Sequence, residues 1–371
     1  MFKKCFSFLL ITICINVNAQ IDSTQKTEEE DYSQYENVAE DSSANIQKIY
    51  CNPKIFDLSP NRFISLGYDF VSNYKLNSSN IGLYKDDDKP LNIEDIYFST
   101  HGLRINANIP IISKTKLLWQ LGGGIVKSNY VSHGYKSTVI TDQSKLFKSL
   151  EKNGLMHTNL NTTIFKPLGE KTFMIVQGMG ELNGNFGIKN KNDTANFSNI
   201  RTSLSVLFGK RPHDRFQWAI GLSRTYRGGE LNYIPVIMYN YTSVNRKWGT
   251  EILFPARAAY RRKFNSRSIL LAGYELEGNS YKLYNTNLNS KNIELRRGEL
   301  RLKLDYQRQL KGFVWIAIQG GVRHNISYNL DTLGDSNKDF FRGFVGTQKY
   351  IMLNELGLAP YINVSLNLVS P

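Results

Sequence analysis

Five histidines and a set of charged residues are the side chains from which this sequence could build chemistry. His157 and Asn159 stand two apart, and an extended strand puts both on one face. A histidine base with a serine at that spacing could activate the hydroxyl for acyl transfer, because a nucleophile needs its base within hydrogen-bond reach. Here a carboxamide occupies the position the hydroxyl needs. His101 and His324 fall near strand ends, His133 in a loop, and His213 in a turn beside Asp214. No pair has metal-ligand spacing, and no Gly-x-Ser-x-Gly or His-Glu-x-x-His motif occurs. The expectation is a protein that is not an enzyme, with no metal and no cofactor.

The charged set comprises Arg104, Glu251, Arg257, Arg261, Glu275, Glu277, Arg297, Glu299, Arg301, Lys303, Asp305 and Arg323. Each lies within a stretch where polar and apolar residues alternate, so all are expected on the polar face of a strand. Two readings follow. Charges of both signs can pair across strands and keep an interior hydrated. Alternatively, Arg297, Arg301, Lys303 and Arg257 can form a basic constriction that favours anions.

The elements that carry these residues are strands. Around Leu295 to Arg308, Leu300, Leu302, Leu304 and Tyr306 alternate with Arg297, Glu299, Arg301, Lys303 and Asp305. A helix would scatter those leucines around its circumference, whereas a strand segregates them. The same period holds for Ile362, Val364, Leu366 and Leu368, for Ile200 to Phe208, for Phe216 to Leu222 and for Leu103 to Ile109. From Asn61 onward no apolar run is long enough for a spanning helix, which needs about 20 residues.

Three features select a transmembrane barrel over a soluble sandwich. Connections fall into a tight class (111–116, 167–170, 210–214, 243–246, 265–267, 310–312) and a long class (72–94, 132–151, 188–197, 278–291, 330–354). Outer-membrane barrels have that asymmetry, with tight periplasmic turns and long outer loops. Aromatic residues make up 12% of the chain and gather near strand ends, as an interfacial girdle requires. Glycine runs at Gly122 to Gly124 and at Gly320-Gly321 relieve crowding where a tilted strand bends.

The periodicity gives strands at about 62–72, 95–109, 116–130, 153–166, 171–186, 198–209, 215–227, 231–242, 247–253, 256–263, 268–278, 292–309, 313–328 and 356–369. The expected fold is therefore all-β: a transmembrane antiparallel up-and-down β-barrel of 14 strands, with 12 as the alternative. The break at Phe254-Pro255 decides the count.

The stretches Tyr233 to Tyr241, Lys247 to Pro255 and Ala272 to Leu276 resemble an uncharacterised outer-membrane β-barrel family of Bacteroidota-type bacteria, a domain of unknown function. The motifs cover the middle third, and the layout extends over the whole chain. The resemblance implies a barrel and supplies no mechanism. Such barrels often end in an aromatic residue, whereas this chain ends Leu368-Val369-Ser370-Pro371.

The N-terminus sets the compartment. Lys3 and Lys4 precede an apolar run from Cys5 to Val17, and Val17-Asn18-Ala19 suits cleavage after Ala19, so residues 1–19 read as a signal peptide for Sec-type export. Cys5 and Cys14 fall inside it, which leaves Cys51 and no possible disulfide. Residues 20–60 read as a disordered acidic periplasmic segment, since acids, Ser and Gln dominate up to Tyr50 and leave little to bury. Residues 61–371 form the barrel. The formal charge is +14, and the acids are concentrated before residue 51, so the body is more basic than the total suggests.

The location expected is the outer membrane of a Gram-negative bacterium. The partners expected are outer-membrane lipid and lipopolysaccharide, small solutes, and a periplasmic protein reached through residues 20–50, with no nucleic acid. The function expected is a passive pore or channel for small solutes, with anionic solutes as the narrower form of that expectation. A structural or assembly barrel, a fatty-acid-type hydrophobic channel and, last, an outer-membrane lipase are the alternatives.

Overall fold

Alternation becomes a closed wall in the computed structural model, which describes residues 50–85, 88, 96–133, 142–186, 200–225, 232–284, 293–332 and 349–369. The expected signal peptide, the acidic stretch to residue 49 and large parts of the long loops lie outside the described residues.

Fourteen strands form the wall: β1 (Arg62–Ser78), β2 (Ile96–Lys114), β3 (Leu117–His133), β4 (Leu155–Pro167), β5 (Thr172–Gly184), β6 (Arg201–His213), β7 (Phe216–Thr225), β8 (Asn232–Thr242), β9 (Trp248–Phe254), β10 (Arg257–Asn265), β11 (Ser268–Leu283), β12 (Ile293–Lys311), β13 (Val314–Thr332) and β14 (Ala359–Val369). Each pairs antiparallel with its neighbour in sequence, and β1 closes the ring by pairing with β14, Phe70 opposite Ile362. The count of 14 holds over 12. Pro255 and Ala256 form a real turn, with Leu253 opposite Arg257 across it.

The two faces of the wall differ as the alternation requires. Ile64, Leu66 and Phe70 of β1, Ile105 of β2, Phe208 of β6, Leu222 of β7, Leu302 and Leu304 of β12 and Val364 of β14 are all exposed, while Arg301 and Asp305, which flank the two leucines of β12, are buried. A continuous exposed apolar belt around every side of a wall far exceeds the few hundred Å² that soluble monomers tolerate. The belt faces hydrocarbon, and the buried charged face lines the interior. No helix among the described residues is long and apolar enough to cross a membrane.

Wall height is uneven. β12 and β13 have 19 residues each, whereas β9 has 7 and β10 has 9. β11 outruns β10 and bends to meet β5, with Lys282 opposite Gly184 in a parallel bridge. The strands therefore extend into stretches expected as loop: β1 continues to Ser78 and β11 to Leu283. Alternation inverts there: Tyr281 and Leu283 put apolar side chains on the parity that holds Glu275 and Glu277, and Ser280 on the other parity is buried too.

A helix, α1 (Asp142–Asn153), replaces part of the loop expected at 132–151. Asp142 favours its N-terminus and Lys152 its C-terminus through the helix dipole. Gly154 ends it in the left-handed conformation at φ 64°, where its N–H bonds the Leu150 carbonyl at 2.7 Å. Leu146, Phe147 and Leu150 fall on one face and pack into an apolar cluster with Tyr74, Leu76, Ile96, Phe98, Tyr130, Leu155, Leu295 and Leu330. That cluster fills the long-loop end of the tall wall.

The short-turn end is crossed by residues 50–61, which the composition-based boundary at residue 60 assigned to the acidic segment. The Cys51 N–H bonds Gly169 O at 3.3 Å in the β4–β5 turn, and the Phe56 N–H bonds Asp214 O at 2.8 Å in the β6–β7 turn. Cys51 is buried against Phe165, Phe173 and Leu207. Acid content sets solubility, but these contacts are made by backbone groups and by a small apolar set that begins at Cys51, so the ordered body starts before the first strand.

Candidate functional site

The interior is built from alternate residues of neighbouring strands, and its centre is an ion-pair network on β1, β2, β11, β12 and β13. Arg104 of β2 forks onto Glu277 of β11, each guanidinium nitrogen 2.9 Å from a carboxylate oxygen. It also donates to Asp69 of β1. Asp69 accepts further from Arg301 at 3.2 Å and from Asn363 at 2.9 Å. Glu299 accepts from Arg297 at 3.0 Å and from Arg301 at 2.9 Å, and Arg323 Nε stands 3.7 Å away. Lys303 bonds Glu275 at 2.5 Å, and Arg62 reaches Asp305 at 3.3 Å.

Planar guanidinium forks suit this task because each aligns two parallel bonds to a carboxylate. Register brings these charges together: Arg301 lies opposite both Glu275 and Arg323, and Glu299 lies opposite Glu277. The Arg323 guanidinium also stacks over the Tyr74 ring at 4.3 Å, between the ionic layer and the apolar cluster.

A second ionic group stands lower, on β8 to β10. Arg261, 1% exposed, donates to Glu251 at 2.6 Å and to Thr242 Oγ1 at 2.8 Å. Ser59 donates to the same Glu251 oxygen from its N–H and its hydroxyl, both at 2.7 Å. Asp57 pairs with Lys263 at 2.6 Å, Thr242 donates to Phe56 O at 2.8 Å, and Arg246 lies 4.9 Å from the Phe56 ring centre. These contacts fix residues 50–61 across the short-turn end. Burial pulls the Lys54 ammonium down to about 8, against the opposing pull of Glu251. Burial likewise pushes the Cys51 thiol up.

Of the residues singled out from the sequence, Arg104, Glu275, Glu277, Arg297, Glu299, Arg301, Lys303 and Arg323 meet around the centre, and Asp305 pairs separately with Arg62. Glu251 and Arg261 form the lower group. Arg257 is exposed on the inward face, with no ion-pair partner among the described residues. The arrangement is thus one of neutralised charge. Arg297, Arg301 and Lys303, considered above as a basic constriction, each contact a carboxylate.

Beside the network lies a cavity of 260 Å³, lined among others by Arg104, Asn106, Ser128, His157, Asn159, Glu181, Asn279 and Tyr281. His157 Nδ1 is 2.6 Å from Asn183 Oδ1, and Nε2 is 2.9 Å from Asn159 Nδ2. An Nδ1–H tautomer satisfies both bonds, with the imidazole donating to Asn183 and accepting from Asn159. The His157 and Asn159 side chains do lie together, and the amide donates where a nucleophile's hydroxyl would sit. Gly124 makes the space: a Cβ there would strike Asn106 Oδ1 and lie 3.2 Å from Asn159 Nδ2. Sequence reasoning missed Asn106, Asn279 and Asp69, because neutral amides and a lone acid have no motif. The inward parity of their strands was the available signal.

No curated protein matches the chain. Among solved structures, an outer membrane channel from Pseudomonas putida F1 is 8% identical, over 87% of this chain and 99% of that one, with a TM-score of 0.36. The Pseudomonas putida toluene transporter TodX is 11% identical over 85% and 92%, with a TM-score of 0.29. A Pseudomonas aeruginosa FadL homologue is 10% identical over 82% and 90%, with a TM-score of 0.31. Residues 126–369, from the middle of β3 to the end of β14, match the domain of unknown function DUF6268, and this chain belongs to that family.

Proposed function

We propose that this chain is an outer-membrane passage for small polar solutes, closed in the state described by two closures in series. The observation that carries the reading is the inward-facing surface between the closures. Asn106, Gln177 and Arg257 point into the barrel and are exposed, so the interior there holds water. Toward the long loops it meets the cluster around α1, and toward the short turns it meets residues 50–61.

The apolar belt supports a bilayer location, and the leader expected at residues 1–19 with a strand-built wall supports the outer membrane, where lipid and lipopolysaccharide would surround such a barrel. Charge pairing supports weak selection between anions and cations, since among the described residues Arg104, Arg297, Arg301 and Lys303 each contact a carboxylate. The test is solute-driven swelling of vesicles that contain the purified barrel. Swelling by a small neutral solute, once the closures are released, is the expected result. Tight vesicles after release of both would leave a scaffold in place of a passage.

A second reading, passage of a hydrophobic solute, has one observation in its favour: the cluster formed by Tyr74, Phe98, Tyr130, Phe147 and Leu150 is large and apolar. Displacement of α1 would turn it into an apolar vestibule. Saturable binding of a long-chain fatty acid probe, lost on changing Phe98→Ser, would favour this reading over the polar one.

A further inference from the structure

The geometry points to the 260 Å³ cavity as a binding site for a neutral polyhydroxylated solute of monosaccharide size; this rests on the proposal that the barrel passes polar solutes. Size is the first constraint. The cavity falls just below the lower end of ordinary small-molecule pockets, about 300 Å³, and admits one pyranose-sized ring.

Charge is the second constraint. Arg104, Arg297, Glu181, Glu275, Glu277 and Glu299 line the cavity. Arg104 pairs with Glu277 and with Asp69, Arg297 with Glu299, and Glu275 with Lys303, so these lining charges already hold partners of opposite sign. An anion or a cation that enters meets charges that are already compensated. A charged solute would enter against the full cost of its desolvation with no compensating partner, whereas a neutral one would not.

Hydrogen-bond capacity is the third. Among the described residues, neither Asn106 nor Ser128 gives its side chain to another protein group, and both face the cavity. Amides and hydroxyls that both donate and accept match vicinal hydroxyl groups, which do the same. The Tyr281 ring adds a flat apolar surface for the C–H face of a sugar.

The test uses the full chain, purified and folded, and beside it the chain lacking residues 50–60, which opens the cavity toward the short turns, with methyl glucoside, gluconate and glucosamine as probes in equilibrium titrations. Gly124→Val fills the cavity, and Asn159→Leu removes a hydrogen-bonding wall. Folding of each variant is checked by its retained heat-dependent mobility in gels. The expected result is saturable binding of methyl glucoside, roughly tenfold weaker binding of both charged probes, and at least about a tenfold loss in each folded variant. If one variant fails to fold, the other carries the test, with Ser128→Ala as a third. Equal or tighter binding of either charged probe, binding unchanged in the folded variants, or no binding of methyl glucoside would each overturn the assignment. Vesicle swelling measured in parallel separates the two claims. Swelling without binding sinks the site and leaves the passage, and binding with tight vesicles after both closures are released sinks the passage and leaves the site.

Discussion

The two ends of this barrel are closed by different physics. At the long-loop end, α1 is held by apolar area: Leu146, Phe147 and Leu150 are almost fully buried among strand side chains. At the short-turn end, residues 50–61 are held mainly by directed polar contacts, from Phe56 to Asp214, from Asp57 to Lys263 and from Ser59 to Glu251. Burial energy is spread over many atoms and decays gradually, whereas a polar latch depends on a few bonds and is sensitive to single changes and to pH. The difference teaches that the short-turn closure is the one suited to release, and the long-loop closure the one suited to permanence.

The largest effect is expected where the apolar closure is cut. Leu150→Ala should weaken α1 docking by about 2–5 kcal/mol, because it removes a fully buried side chain and leaves a cavity. Protease cleavage between residues 134 and 153 should accelerate while the barrel itself stays folded. Unchanged cleavage would mean that α1 is held by something other than this cluster.

Next comes the layer between the closures. Glu299→Gln leaves Arg297 and Arg301 buried without full compensation, at a cost of about 3 kcal/mol at the low end for a broken buried pair. Urea unfolding in detergent should register it, and Glu251→Gln, whose carboxylate is 24% exposed, should cost less. Equal losses would erase the distinction between the buried Glu299 and the partly exposed Glu251.

Much of this layout was legible in sequence, and the limits have physical causes. Strand identity followed from period two, so β12 and β14 were readable from Leu302, Leu304, Val364 and Leu366 alone. The turn at Pro255 was the least secure reading, because proline alone does not mark a turn here: Pro110 and Pro235 sit inside paired strands. The pairing of Arg104 with Glu277 was not readable, because it depends on a closed ring that brings β2 and β11 within reach across the interior. α1 left signals in Asp142, Leu146, Leu150 and Gly154, but a short amphipathic stretch between two long strand patterns reads as loop. Residues 50–61 left fewer, since the Phe56 N–H and O that help fix them carry no sequence signature.

A smaller effect should appear at the polar closure. Asp57→Asn removes the ion pair to Lys263, which is partly exposed, and should loosen the segment by about 1 kcal/mol. Faster proteolysis ahead of residue 61, with α1 protection unaltered, is the expected outcome, and a matching loss of α1 protection would show that the two closures are one cooperative unit.

The smallest effect is a pH dependence. Docked Lys54 loses its proton near 8, while an undocked lysine holds its proton to its ordinary value of 10.5. The undocked state therefore binds more protons between those limits, so docking strengthens as pH rises through that window and carries its full desolvation penalty below it. Protection of the segment at pH 9.5 relative to pH 7 should increase in the parent chain and be flat in Lys54→Met. The same slope in both would remove Lys54 from the latch.

The central claim, two closures in series on one polar passage, is tested most directly by vesicle swelling in methyl glucoside. Four chains are compared: the parent, one lacking residues 50–60, one with 142–153 replaced by a glycine-serine linker, and one with both changes. The account predicts tight vesicles for the first three and swelling for the fourth. Swelling after either single change, or none after both, would contradict it.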